Sequence, residues 1–171
     1  MLESVENQEV WGRYTFLGYD PKLEITCMNG EMCIRESGSE EGAKEPVAHP
    51  GAKIKEILKE YTSPKVKDLP SFTGGLVGYF SYDYVKYSEP KLNLDADDQE
   101  GFKDVDLMLF DKVIAFDNLR QKIYIIANAR TENLEQEYDR CLAEIEEIVD
   151  LIEHGTPAQI TPGKITSEFR P

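Results

Sequence analysis

A chain of 171 residues, 40% hydrophobic and 30% charged, fits one domain that buries roughly two thirds of its unfolded surface, and its composition is not that of a disordered or fibrous protein. Acidic residues outnumber basic ones 33 to 19, a net charge of -14 that counts against nucleic acid and against an anionic membrane surface, since both are bound through Lys and Arg. No apolar run approaches the roughly 20 residues of a membrane span, and the first residues carry neither a basic nor an apolar leader region, so the sequence reads as cytoplasmic.

In chain order, a strand pattern starts at Tyr14 with YTFLGY, and Leu23, Ile25 and Cys27 then alternate with polar partners at a period of two. Asn29-Gly30 supplies the positive φ angles of a two-residue turn, and Met32 and Ile34 resume the alternation, which predicts a hairpin. Residues 36–46, ESGSEEGAKEP, have no apolar period and are expected to form a mobile surface loop. After Pro50, Ile54, Ile57, Leu58 and Tyr61 line one face of a short helix that ends before Pro64. The run FTGGLVGYFSYDYV at 72–85 is too continuously apolar at Leu76, Val77, Tyr79 and Phe80 for a half-exposed strand and reads as a buried one. Its glycines allow another backbone or a ligand to approach closely.

Residues 105–110, 112–116 and 122–127 are three more strand runs, with a turn beginning at Asp117-Asn118 between the last two. From Leu134 to Ile152 apolar residues recur at three and four among Glu and Asp. This predicts a long amphipathic helix with Thr131 as N-cap, Leu134 as first core residue and an end near Gly155. Residues 156–171, TPAQITPGKITSEFRP, hold three prolines and no period, the composition of a linker towards something further on. Strand runs joined by hairpins rather than by strict β-α-β alternation predict an α+β fold, a mainly antiparallel sheet with flanking helices.

No chemistry-bearing constellation stands out. TGGLVG at 73–78 lacks the Gly-Lys-Ser/Thr ending of a phosphate loop and lies inside a strand. Asp95, Asp97, Asp98 and Glu100 miss calcium-loop spacing, with Glu100 where the turn glycine belongs, and read as a solvated acidic loop. His49 and His154 sit in Pro- or Gly-flanked connections without a second ligand nearby, and Trp11 is expected to pack across a sheet edge. Cys27, Cys33 and Cys141 match neither a disulfide framework nor a zinc spacing, so reduced thiols among apolar neighbours are expected.

Four segments, in order, resemble the N-terminal domain of anthranilate synthase component I: LES at 2–4, GRYTFLGYDP at 12–21, FTGGLVGYFSYDYV at 72–85 and DVDLMLFDKVIAFDN at 104–118. Sibling enzymes such as aminodeoxychorismate synthase component I share the glycine-rich strand and are the alternative within the superfamily. A stand-alone binding module is the alternative outside it.

The resemblance implies that the chemistry lies elsewhere. The family's chorismate- and Mg2+-binding residues belong to a second, larger domain with signatures such as a Gly-Thr-Leu-Ser-Gly-Ala-Pro-Lys run, which does not occur in this sequence. Residues 1–155 are then the N-terminal regulatory and structural domain, and 156–171 a linker towards a missing C-terminal chorismate-binding domain. The chain itself is expected to hold no catalytic residues, no metal ligands and no cofactor, and to be inactive alone. The whole family enzyme converts chorismate, with ammonia or with glutamine through a glutamine amidotransferase subunit (component II), to anthranilate and pyruvate in tryptophan biosynthesis.

In feedback-inhibited members a Leu-Leu-Glu-Ser segment forms part of an L-tryptophan pocket, a basic residue about ten positions on completes that wall, and the second domain supplies the other. The resemblance carries this over to Glu3, Ser4 and Arg13, with Met1 where the first Leu stands. A carboxylate, a hydroxyl and a guanidinium suit the ammonium, carboxylate and indole N–H of that ligand. The alternative is that Ser4 ends a strand and Arg13 pairs with a surface acid.

Overall fold

The computed structural model describes residues 1–2, 12–89, 91–92, 94 and 98–159. Glu3, Ser4, Trp11, Asp95, Asp97 and residues 160–171 of the expected linker lie outside the described residues.

Tyr14–Leu17 forms β1, and Leu23–Met28 and Glu31–Glu36 form β2 and β3. Asn29 and Gly30 take φ of 51° and 82°, the left-handed pair that a tight hairpin turn requires, so the expected hairpin is present with Met28 opposite Glu31. The expected loop at 36–46 is corrected: Ala43–Pro46 is a strand, β4, pairing Ile34 with Ala43 and Glu31 with Pro46. It has no apolar face because it is an edge strand held by main-chain bonds to β3, and its Lys, Glu and Pro are the residues that keep an open edge from further pairing.

Pro50–Glu60 is α1, with proline in its first turn where no N–H is needed. Gly75–Phe80 is β5, followed by a 3-10 helix at Tyr82–Tyr87. Val105–Phe110 (β6), Lys112–Asp117 (β7) and Lys122–Ala127 (β8) follow, and Leu134–His154 is α2. All pairings are antiparallel, in a five-stranded sheet of order β4-β3-β2-β6-β5 and a three-stranded sheet of order β1-β7-β8. The α+β class expected from the sequence is the class observed.

The inward residues of β2, β3 and β6 build the core. Ile25, Cys27, Met32, Val105 and Leu107 are buried with Ile54 of α1, and Ile57, Leu76, Tyr84 and Tyr87 pack around them. Each such side chain contributes about 1.5–3 kcal/mol on burial, which is what the period of two in β2 encodes. Asp111 alone separates β6 from β7, so one nearly continuous segment serves both sheets.

Two expectations about burial are corrected. Among the described residues β5 is an edge strand paired only with β6, and Tyr79 and Phe80 are 40% and 50% exposed rather than buried. An unbroken apolar run records affinity for cover but not whether the described chain supplies it. Close backbone approach does occur at Gly78, where a Cβ would stand 2.0 Å from the Asp106 carbonyl oxygen of β6.

In α2, Asn133 rather than Thr131 holds the N-cap position, at φ 56° and without a side-chain cap bond. Leu134, expected in the core, is 56% exposed, and the buried residues of the helix are Cys141 and Ile148. The helix ends at His154 as expected, with the Gly155 N–H donating to Leu151 O. His154 thus lies in the last helical turn, 3.1 Å from Asp150, not in a connection. No described helix is long and apolar enough to cross a membrane.

Candidate functional site

Of the three residues singled out for a ligand, Arg13 is described. It stands immediately before β1, and the β1–β7 register places Tyr14 opposite Asp117 at the end of β7. Arg13 therefore meets Asp117 although 104 residues separate them: Nε donates to Oδ1 at 3.1 Å and Nη2 to Oδ2 at 2.7 Å, a two-bonded guanidinium–carboxylate pair. The partner is not the surface acid of the alternative reading, because the Asp117 side chain is completely buried. Its Oδ1 also accepts the Arg120 N–H of the β7–β8 turn at 3.0 Å.

The Arg13 hydrogen bonds, reinforced by the turn N–H groups, outweigh the cost of burial and hold the Asp117 carboxyl down at about 2. The same hydrogen bonds raise Arg13, which stays charged. The pair is a fixed charge arrangement and not a proton donor or acceptor near neutrality. Two of the five guanidinium N–H groups face Asp117, and the side chain keeps a quarter of its surface open. Arg13 also covers the Tyr14 ring, 4.8 Å from its centroid. Phe16 follows on the same side of β1, with Phe72 edge-on to it at 5.6 Å.

Leu2 joins this edge. Its N–H donates to Phe16 O at 2.8 Å and its carbonyl accepts the Phe16 N–H at 2.9 Å, an antiparallel bridge on the side of β1 away from β7. The chain just ahead of Glu3 and Ser4 is thus tied to the strand that follows Arg13, while Glu3 and Ser4 themselves lie outside the described residues. Asp117 gave no signal in the sequence as part of this group. Its position at the start of the predicted turn was the one available clue.

Two further polar constructions were also missed. Asp104, buried immediately before β6, accepts Lys86 Nζ, the Tyr87 hydroxyl and the Asn29 N–H at 2.7, 2.7 and 2.8 Å, and the Tyr87 oxygen accepts the Gly30 N–H at 2.7 Å. Burial works upward on the Asp104 pKa, but the Lys86, Tyr87 and Asn29 hydrogen bonds carry it below the usual carboxylate range. The construction clamps the 3-10 helix to the β2–β3 turn.

At the far end of the β1-β7-β8 sheet, about 20 Å from Asp117 along β7, a cleft of about 610 Å³ opens between the end of α1 and the end of β8. Lys22 of its lining lies 3.4 Å from Asp111, which Arg140 also approaches to 3.8 Å from outside the cleft, and Arg130 donates to the Tyr61 hydroxyl at 2.7 Å. Of the cleft's charged groups, Lys22 and Asp111 pair with each other.

Among the described residues no group of three or more His, Cys, Asp or Glu side chains is placed to hold a metal ion. Cys27 and Cys141 are buried and Cys33 is half-buried, all three as free thiols.

A buried acid pinned by an arginine at the edge strand of an antiparallel α+β scaffold presents a fixed, partly open guanidinium that can bind an anionic group. The sequence model of a family described as chorismate binding enzyme matches residues 4–171, and the chain belongs to that family. This match gives no support to the expectation that the chorismate-binding region is missing from the chain.

Anthranilate synthase component 1 of Acinetobacter calcoaceticus is 34% identical over 96% of the chain and 33% of its own length. That of Pseudomonas aeruginosa is 38% identical over 88% of the chain and 30% of its own length. The crystal structure of anthranilate synthase component I from Streptococcus pneumoniae superposes with a TM-score of 0.53 at 25% identity, over 85% of the chain and 31% of that structure. The chain spans about a third of the length of these relatives.

Proposed function

We propose that this chain acts in tryptophan biosynthesis as the N-terminal regulatory and structural portion of an anthranilate synthase component I. Residues 1–155 form the folded unit, and 156–171 lead towards further chain that completes the enzyme. Glu3, Ser4 and Arg13 contribute one wall of an L-tryptophan feedback site, and a part beyond this chain contributes the other. The observation that carries this reading is the Leu2–Phe16 bridge, which brings the residue before Glu3 onto the edge of β1, the strand that directly follows Arg13. The guanidinium there keeps donors free of Asp117 and stands beside the Tyr14 ring, a combination that suits an aromatic amino acid with its carboxylate.

The chain alone forms no anthranilate. The whole enzyme, working in the cytoplasm with a glutamine amidotransferase subunit, converts chorismate, and the Mg2+ it needs is held outside the residues described. A ligand between two walls shifts their packing only by its different affinity for two arrangements, so one wall alone holds tryptophan very weakly.

Calorimetry of the 171-residue chain with L-tryptophan tests the two-wall reading. The expected result is no saturable heat at micromolar ligand, and micromolar affinity overturns it. Incubation with chorismate and ammonium tests the inactivity: a fluorescent aromatic amine as product ends that part of the proposal.

A further inference from the structure

α2 carries more apolar surface than its own fold covers. Cys141 and Ile148 face the protein and are buried. At 100° per residue, Leu134, Tyr138, Leu142, Val149 and Ile152 fall in a row directly beside them, and all five are between 37% and 59% exposed. The row spans 19 residues, about 27 Å of helix. Beside it, on the solvent side, Glu135, Asp139, Glu146 and Glu153 form a parallel rail, and among the described residues no ion pair engages any of these four.

An apolar row with one rail of like charge on a helix surface is the pattern by which helices select a partner helix: the row supplies contact area and the rail supplies orientation and choice. We infer that α2 is a docking surface for a basic amphipathic helix of a separate protein, whose apolar row lies on Leu134 to Ile152 and whose Lys or Arg residues face the acidic rail. Charge decides among occupants. α2 holds eight acidic residues against Arg140 as its one Lys or Arg, and the chain as a whole carries -14, so a second copy would set rail against rail and an anionic bilayer would be repelled. This inference does not depend on the proposed tryptophan site, since Arg13 lies at the opposite end of β7 from Asp111, which Arg140 of α2 approaches.

The test titrates the 171-residue chain into a labelled synthetic 21-residue peptide with Leu in a helical row and Lys along one flank, read by fluorescence anisotropy at 50 and 300 mM NaCl. Saturable one-to-one binding in the micromolar range, weakened at least tenfold at the higher salt, is expected. The double variant Leu142→Gln/Val149→Gln is expected to lose at least tenfold at both salts. Glu146→Gln/Glu153→Gln is expected to lose most of the salt dependence.

Both variants alter exposed side chains, and circular dichroism with thermal melting checks the fold. Should the apolar variant fail to fold, the salt slope of the acidic variant decides. Equal binding of a peptide of the same composition with its leucines scattered around the helix overturns the inference. So does self-association of the chain at micromolar concentration that the Leu142→Gln/Val149→Gln change abolishes, or stripe-dependent binding to phosphatidylglycerol vesicles.

Discussion

Arg13 and Asp117 close a two-bonded ion pair between the start of β1 and the end of β7, with the carboxylate fully out of water and the guanidinium partly in it. The pair holds the edge strand to the sheet at the point where the β7–β8 turn begins. It also fixes which face of Arg13 is left for anything that binds there.

Removing one partner costs more than removing both. Arg13→Ala leaves a buried carboxylate with only turn N–H groups to satisfy it, and a loss on the order of 3 kcal/mol is expected. Arg13→Ala with Asp117→Asn is expected to recover part of that loss, since no charge remains buried. Urea denaturation of the two single variants and the double variant checks it, and a strictly additive double variant contradicts the coupling.

The pair also sets an acid limit. Asp117 has a folded pKa of about 2 against about 3.9 in the unfolded chain. As pH falls the unfolded chain takes up this proton first. The pair's contribution is therefore complete above about pH 4 and is lost as pH drops through about 2. The stability gap between the parent chain and Asp117→Asn should shrink over that window in urea melts at stepped pH. A gap that stays constant from pH 5 to pH 2 counts against the assigned ionisation.

The Asp104 clamp at the start of β6 gives a separate expectation. Tyr87→Phe removes an oxygen that accepts the Gly30 N–H and a hydroxyl that donates to Asp104, leaving a turn N–H without its acceptor and an acid with one donor fewer. A loss of about 1–3 kcal/mol follows. Hydrogen exchange at Gly30 should speed up more than at Ile114 in the distant sheet, and equal acceleration at both sites refutes a local clamp.

The hairpin at Asn29-Gly30, the helix over Pro50–Glu60 and the end of α2 were legible in the sequence because each rests on local chemistry: a positive-φ pair, a proline-led amphipathic turn, a glycine after the last periodic residue. β4 was not legible, since what holds Lys44 and Glu45 in a strand is main-chain bonding to β3, which leaves no mark on side-chain choice. Tyr79 and Leu134 were misplaced for the opposite reason. Their apolar character reflects a need for cover, and the described chain leaves both half-exposed. At the candidate site, Arg13 was found through family resemblance, while Asp117, 104 residues away, is invisible until β1 and β7 are paired.

Gly78 offers the sharpest contrast between two kinds of glycine. Its φ of 155° is open only to glycine at low cost, and a Cβ would lie 2.0 Å from Asp106 O and 2.8 Å from Leu107 Cα, both backbone atoms of the adjoining strand. Gly78→Ala must therefore push β5 off β6, and a loss of 3 kcal/mol or more is expected, approaching failure to fold. Gly101 has φ 66° but nothing within 4 Å of its would-be Cβ. Gly101→Ala carries the left-handed backbone penalty alone, about 1 kcal/mol. Thermal melts of the two variants side by side isolate the steric part, because both change the same atoms at positive φ. Similar melting temperatures for the two would mean that β5 does not press on β6 at Gly78.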